Sequence, residues 1–149
     1  MKKIFLTLIL IAFFPSSSFS AGFTFPNFDL KHPDKLCKDQ WTKRGVLNER
    51  MYNYCMNKAE KGYQKALYIY NEFKTEKWID DVAKHSYDQW TKRGNIDYNM
   101  FAYEMNTQKE GFLDLEYEIQ QGNFTESEVK KCTNKWYPQF RMIVYCLKN

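Results

Sequence analysis

The sequence predicts an all-α protein built from three degenerate helical hairpins, stacked as a short α-solenoid or bundle. Three observations lead to this prediction: a long internal repeat, apolar residues at helical spacing, and four cysteines placed symmetrically about two turns. No segment shows the sustained apolar–polar alternation that is typical of a strand with one buried face.

The internal repeat relates positions 38–63 to 87–112, which are identical at 12 of 26 positions without a gap. A third, more diverged copy keeps Cys132, Trp136 and Cys146 in the same frame once four residues are removed. The period is therefore about 46–49 residues. The predicted hairpins cover about 33–74, 75–121 and 125–149.

Residues 1–20 have the features of a cleavable secretory signal peptide. A lysine pair precedes an apolar segment, Ile4 to Phe14, and a small-x-small site ends at Ser20. The apolar segment is too short to span a bilayer. We expect cleavage after about Ser20, no transmembrane segment in the mature chain, and a periplasmic or secreted location.

The N-terminal arm, 21–32, carries three phenylalanines without helical spacing. We expect it to be extended, with these rings either packed on the domain or held for a partner. A single all-α domain then covers 33–149. Pro33 suits the first turn of its first helix, Gly45 is a natural left-handed stop, and Asn48 is the expected cap of the second helix. The apolar stripe of that helix consists of Met51, Cys55, Ala59, Gly62, Ala66, Ile69 and Phe73.

The later hairpins show the same signals. Thr75 and Asp97 are the expected caps of the next two helices. Thr125 and Glu128 form a capping-box pattern for the last hairpin, and Pro138 interrupts that hairpin near its middle.

Two glycines, Gly62 and Gly111, occupy equivalent positions inside the long helices. A glycine there destabilises a helix by roughly 0.5–1 kcal/mol relative to alanine. Its retention in both copies favours close approach of another backbone or a local bend, with a ligand-lining role as the alternative.

The cysteine positions predict the disulfide pairing. Cys37 and Cys55 are equidistant from position 46, in the turn at Gly45 and Val46, and Cys132 and Cys146 are equidistant from position 139, beside Pro138. Residues equidistant from the turn of an antiparallel hairpin lie opposite each other. We therefore predict two disulfides within hairpins, each worth roughly 3 kcal/mol in the chain-entropy account.

Charge and cysteine content limit the possible functions. Without its first 20 residues the chain has 20 basic and 18 acidic side chains, too even a balance for a nucleic-acid binder. Four cysteines in an exported chain are typical of an oxidising compartment. No cofactor is expected. Asp81 and His85 share a helix face but have no third ligand, so no metal site is predicted either.

The two copies of Trp-Thr-Lys-Arg-Gly, at 41–45 and 90–94, are called the first and second tip. Their indoles and cations can grip an anionic surface, or the tryptophan can simply pack the hairpin while the cations neutralise a helix end. Trp136 favours packing, because the third copy keeps the tryptophan and loses the cations. The candidate binding residues are Trp41, Lys43, Arg44, Trp90, Lys92 and Arg93.

The weak catalytic candidate is Glu104, which replaces a cysteine on a predicted inward face. In an enzyme it is a candidate acid for glycan hydrolysis. Otherwise it either hydrogen-bonds to Ser86 across the hairpin, or the hairpin opens to solvent there. No nucleophile with an adjacent base is evident, so an enzyme is not the favoured prediction.

The favoured function is an exported, non-catalytic protein that binds another macromolecule, a protein in the envelope or outside the cell, as an inhibitor, immunity or assembly factor. The alternative is an envelope protein that binds or cleaves peptidoglycan or another glycan, using Glu104 and surface aromatics. Tyrosines beside the main stripe suit either partner, or the core. They are Tyr63, Tyr68, Tyr70, Tyr98 and Tyr117.

Overall fold

The computed structural model describes residues 22–149, which are mostly helical and contain two disulfides, as the sequence predicts. The expected signal peptide lies outside the described residues. The helices are α1 (Lys31–Trp41), α2 (Glu49–Glu72), α3 (Trp78–Trp90), α4 (Tyr98–Gln120), α5 (Glu126–Trp136) and α6 (Phe140–Lys148). The chain packs as two compact units, an N-terminal unit, 23–106, and a C-terminal unit, 107–149.

Two short β-hairpins, which the sequence did not predict, follow α1 and α3. Their antiparallel strands are β1 (Thr42–Lys43) with β2 (Val46–Leu47) and β3 (Thr91–Lys92) with β4 (Asn95–Ile96). Strands of two residues are too short to produce an alternation that a sequence pattern reveals. The glycine after each tip arginine therefore belongs to a tight turn between strands, and α1 already ends at Trp41.

Three of the four predicted helix caps are confirmed. Asn48 and Asp97 each accept a hydrogen bond from the backbone N–H three residues on, at 3.2 and 3.1 Å. Thr125 forms the full capping box with Glu128. The prediction that Thr75 caps α3 is wrong. Thr75 lies in a turn closed by the hydrogen bond from the Glu76 N–H to the Phe73 carbonyl, and α3 begins three residues later.

The phenylalanines of the arm pack on the N-terminal unit rather than facing outward. Phe25 lies 5.0 Å from Tyr70 and 5.7 Å from Phe101 between ring centroids. Phe28 lies 5.2 Å from Tyr63 and 5.0 Å from Tyr98. The arm thus supplies part of the aromatic core.

Tyrosine hydroxyls satisfy the backbone of the extended arm. Tyr63 Oη donates to the Pro26 carbonyl at 3.2 Å, and Tyr98 Oη accepts from the Asp29 N–H at 3.0 Å. Tyr70 Oη lies 3.0 Å from the Phe23 carbonyl oxygen and 2.7 Å from Asp80 Oδ1. Burial, followed by the hydrogen bond with Asp80, raises the pKa of Tyr70 to about 12. Three of the five tyrosines left open by the sequence therefore hold the arm.

Both helix-interior glycines lie against another backbone, as expected. In the N-terminal unit, a Cβ built on Gly62 meets the Asn99 Cα and the Tyr98 carbonyl oxygen at 2.7 Å. In the C-terminal unit, a Cβ on Gly111 meets the Arg141 nitrogen at 2.6 Å. Real Cβ atoms do not approach backbone atoms this closely, so no other residue fits without displacement.

The C-terminal unit is held by a disulfide and by polar contacts between α4 and α6. Gln108 Oε1 accepts from the Arg141 N–H at 3.1 Å, and Arg141 Nη1 lies 2.8 Å from Asp114 Oδ2. Lys148 Nζ lies 2.6 Å from Glu118 Oε1 and lowers the pKa of that carboxyl group. These contacts fix the start and the end of α6 against α4.

Candidate binding site

Each tip ends in a turn that places an arginine in the left-handed region. Arg44 and Gly45 have φ values of 52° and 79°, and Arg93 and Gly94 have 51° and 76°. Positive φ at both central residues is the signature of a type I′ turn, whose first position favours asparagine, aspartate or glycine. An arginine there is strained, and the same strain is present in both copies.

The tip cations project into solvent. Lys43, Arg44, Lys92 and Arg93 are exposed, and none of them makes an ion pair within residues 22–149. Lys92 Nζ lies 5.6 Å from the centroid of the Trp90 ring, a cation–π distance. Four positive charges without an ion pair are a large share of the charge, because the formal net charge of residues 22–149 is only about +2.

A groove of about 350 Å³ lies in the N-terminal unit, lined by residues of α1 and α2 and by the segment 96–100, which leads from β4 into the start of α4. Trp41, at the base of the first tip, forms one side. Ile96, the last residue of β4, forms another, because β4 packs against α1. The volume is at the lower end of the roughly 300–1,000 Å³ that is usual for ligand sites.

The groove has an apolar floor and a polar edge. The Cys37–Cys55 disulfide, with an S–S distance of 2.04 Å, forms part of its wall. Gln40 Oε1 lies 3.9 Å from Cys55 Sγ, a packing contact, because a disulfide sulfur has no proton to donate. Lys58 Nζ lies 5.4 Å from the centroid of the Tyr54 ring, which lines the groove and is 56% exposed.

The residues predicted as candidate site residues differ in whether they line the groove. Trp41 lines the groove, whereas Trp90 is half-buried with its Nε1 atom enclosed and without an acceptor in the described part of the chain. Glu104 is half-buried on α4. Ser86 is fully buried, and its Oγ makes no hydrogen bond within 22–149, so the expected hydrogen bond from Ser86 Oγ to Glu104 is absent.

Sequence reasoning missed Tyr54, although a signal for it was present. The equivalent residues in the other two copies are Tyr103 and Tyr145, and all three are exposed, at 56%, 61% and 63%. Of the three, Tyr54 lines the groove, and it is therefore the binding candidate.

The described residues show no sign of a metal centre or a membrane span. Among residues 22–149, no three His, Cys, Asp or Glu side chains are arranged to hold a metal ion. No helix in this range combines the length and apolar character needed to cross a bilayer. No known protein family, curated protein or solved structure matches the chain.

Proposed function

We propose that this chain is an exported, non-catalytic binding protein of the bacterial envelope or the secreted fraction, acting on a protein partner as an inhibitor, immunity or assembly factor. The observation that supports it best is the groove lined by α1, α2 and residues 96–100, one side of which is Trp41 at the base of the first tip. Grooves with an apolar interior and a polar rim are the usual form of recognition sites.

The strained arginines support a binding role for the tips. A non-glycine residue in the left-handed region is costly, and backbone strain of this kind concentrates at functional sites. Arg44 and Arg93 make no ion pair among the described residues that offsets this strain. Folding therefore does not account for these two arginines, and binding of a partner is a reason for the sequence to retain them.

We further propose that the three helix pairs are copies of one repeat. The contacts of the two glycines support it, because Gly62 meets the start of α4 and Gly111 meets the start of α6. The contacted residues, Asn99 and Arg141, occupy equivalent positions in the second and third copies once the four-residue deletion is applied. Stacked repeats suit broad binding surfaces.

Export is part of the proposal. One disulfide joins α1 to α2 and the other joins α5 to α6. Disulfides persist in oxidising compartments outside the cytosol. The apolar segment near the N-terminus and the small residues before position 21 are typical of a secretory signal.

The test is a pull-down from envelope extract under oxidising conditions. The bait is the exported chain, compared with a variant in which Lys43, Arg44, Lys92 and Arg93 are changed to Gln. We expect a specific partner that the variant loses and that salt releases, since exposed charges are screened over roughly 8–10 Å at physiological ionic strength. The variant should melt within a few degrees of the wild type, because the four side chains are exposed and substitutions at such surface positions usually change stability by only about 0.5 kcal/mol.

A matched control removes the same charge elsewhere in the N-terminal unit. Changing Lys61, Lys65, Lys74 and Lys77 to Gln also removes four exposed cations, at a distance in sequence from either tip. Equal loss of the partner with both variants contradicts a role for the tips. If the chain captures no protein but sediments together with isolated peptidoglycan, the glycan alternative is favoured over a protein partner.

A further inference from the structure

We propose that the groove takes an acidic peptide segment of the partner, with one bulky apolar side chain seated in the groove and flanking carboxylates paired with the tips. This inference rests on the proposed function and names the chemistry of its ligand. Lining residues, the positions of the cations and the polar edge of the groove each support it.

The lining of the groove fits a bulky apolar side chain. Leu36 and Met100 supply partly exposed aliphatic and thioether surface, and Trp41 and Tyr54 supply rings. The buried Ile96 closes the groove behind them. A volume of about 350 Å³ holds a few side chains rather than a whole helix. Aromatic and aliphatic anchors that enter a preformed pocket contribute most of the affinity of many protein interfaces.

The tip cations are within reach of a chain that leaves the groove. Lys43 follows Trp41 by two residues, and a strand rises by about 3.3 Å per residue, so their Cα atoms are about 7 Å apart at most. Lys92 pairs in register with Asn95, the neighbour of Ile96. Each tip therefore presents cations beside residues that line the groove, at a distance that a peptide of a few residues spans.

The polar edge favours a peptide over a plain polyanion. Gln40 and Asn99 supply amide groups, and Asp97 supplies a carboxylate, on the rim of the groove. Amides match the donors and acceptors of a peptide backbone, whereas the Asp97 carboxylate is already engaged, because its Oδ1 accepts from the Met100 N–H. A segment with both an apolar anchor and separated carboxylates satisfies the groove and the tips together.

The test uses short synthetic peptides and the exported, oxidised chain, with binding measured by fluorescence anisotropy of a labelled peptide. The first peptide has a central Phe between Glu residues. In the second, Ala replaces the Phe, and in the third, Lys replaces every Glu. We expect the first to bind at least about ten-fold more tightly than either of the others, a difference of about 1.4 kcal/mol.

Two protein variants locate the binding. Tyr54→Ala removes a ring from the groove and should weaken the first peptide about ten-fold or more. Tyr103→Ala is the matched control, because it changes the equivalent, similarly exposed tyrosine, and should leave affinity unchanged. The Gln variant of the four tip cations should weaken binding and flatten its salt dependence, while the Lys61, Lys65, Lys74 and Lys77 variant should not.

Several outcomes overturn the inference. If the Ala peptide binds as tightly as the first peptide, no apolar side chain is anchored in the groove. If the Lys peptide binds as tightly as the first, the site does not distinguish acidic from basic peptides. Binding to anionic lipid vesicles or to a polysulfated glycan in place of all three peptides assigns the tips to another anion. If a partner is captured through the tips but none of the peptides binds, the proposed function is retained and only the acidic-peptide ligand is ruled out.

Discussion

The two β-hairpins of the N-terminal unit share a backbone and differ in their surroundings. Their turn residues have φ values that agree within 3°, and each is closed by a 3.0 Å hydrogen bond to the carbonyl of the preceding tryptophan. Yet Leu47 in β2 is half-buried, whereas its equivalent, Ile96 in β4, is only 1% exposed. Val46, beside Leu47, is 71% exposed.

This difference separates local from tertiary causes. The turn repeats because its short motif repeats, and a two-residue turn is decided by residues within it. The burial does not repeat, because β4 packs against α1, whereas the main partner of β2 among the described residues is its own hairpin strand, β1. The same local structure thus forms a wall of the groove in one copy and a largely exposed β-hairpin in the other.

The largest expected effect comes from shortening the two equivalent apolar side chains. Ile96→Ala empties a fully buried position and should lower the free energy of unfolding by about 2–5 kcal/mol. Leu47→Ala should cost about 1 kcal/mol, since less apolar surface is lost. Urea unfolding followed by circular dichroism measures both. Equal costs would mean that the two β-hairpins are packed alike in solution.

The next effect concerns the disulfide that joins α1 to α2 and has no counterpart between α3 and α4. Changing both Cys37 and Cys55 to Ser should cost roughly 3 kcal/mol and leave most helical circular dichroism. In the second pair, Ser86→Cys with Glu104→Cys should form a third disulfide. Ser86 Oγ makes no hydrogen bond in the described chain, so its replacement loses none. Thiol titration and peptide mapping under oxidising conditions provide the measurement; two thiols that stay free mean that the second pair is splayed.

The smallest effect is predicted to be the same in both turns. Arg44→Asn and Arg93→Asn should each stabilise the protein by about 0.5–1 kcal/mol, because asparagine tolerates the left-handed region better than arginine. Both changes should also weaken partner binding. Thermal melting of the single variants, with Lys43→Asn as a control outside the strained position, tests the first claim. A loss of stability in either variant shows that the arginine supports the fold.

Local residue patterns determined much of this protein. Helical spacing, caps such as Asn48 and the equidistant cysteines predicted a mostly helical chain with these two disulfide pairs, because these features act between residues close in sequence. The β-turns were missed because glycine after arginine fits a helix stop as well as a type I′ turn. The recurrence of tyrosine at position 54 and its two equivalents, all of them exposed, was a signal that the sequence contained.

Other features depended on contacts between residues far apart in sequence. The arm phenylalanines had two possible fates, and only the ring contacts with residues such as Tyr70 decided between them. The groove exists because β4, about fifty residues downstream, packs on α1 and brings Ile96 close to Trp41. A repeat motif sets the shape of each turn, but whether its side chains are covered depends on the neighbour that packs there.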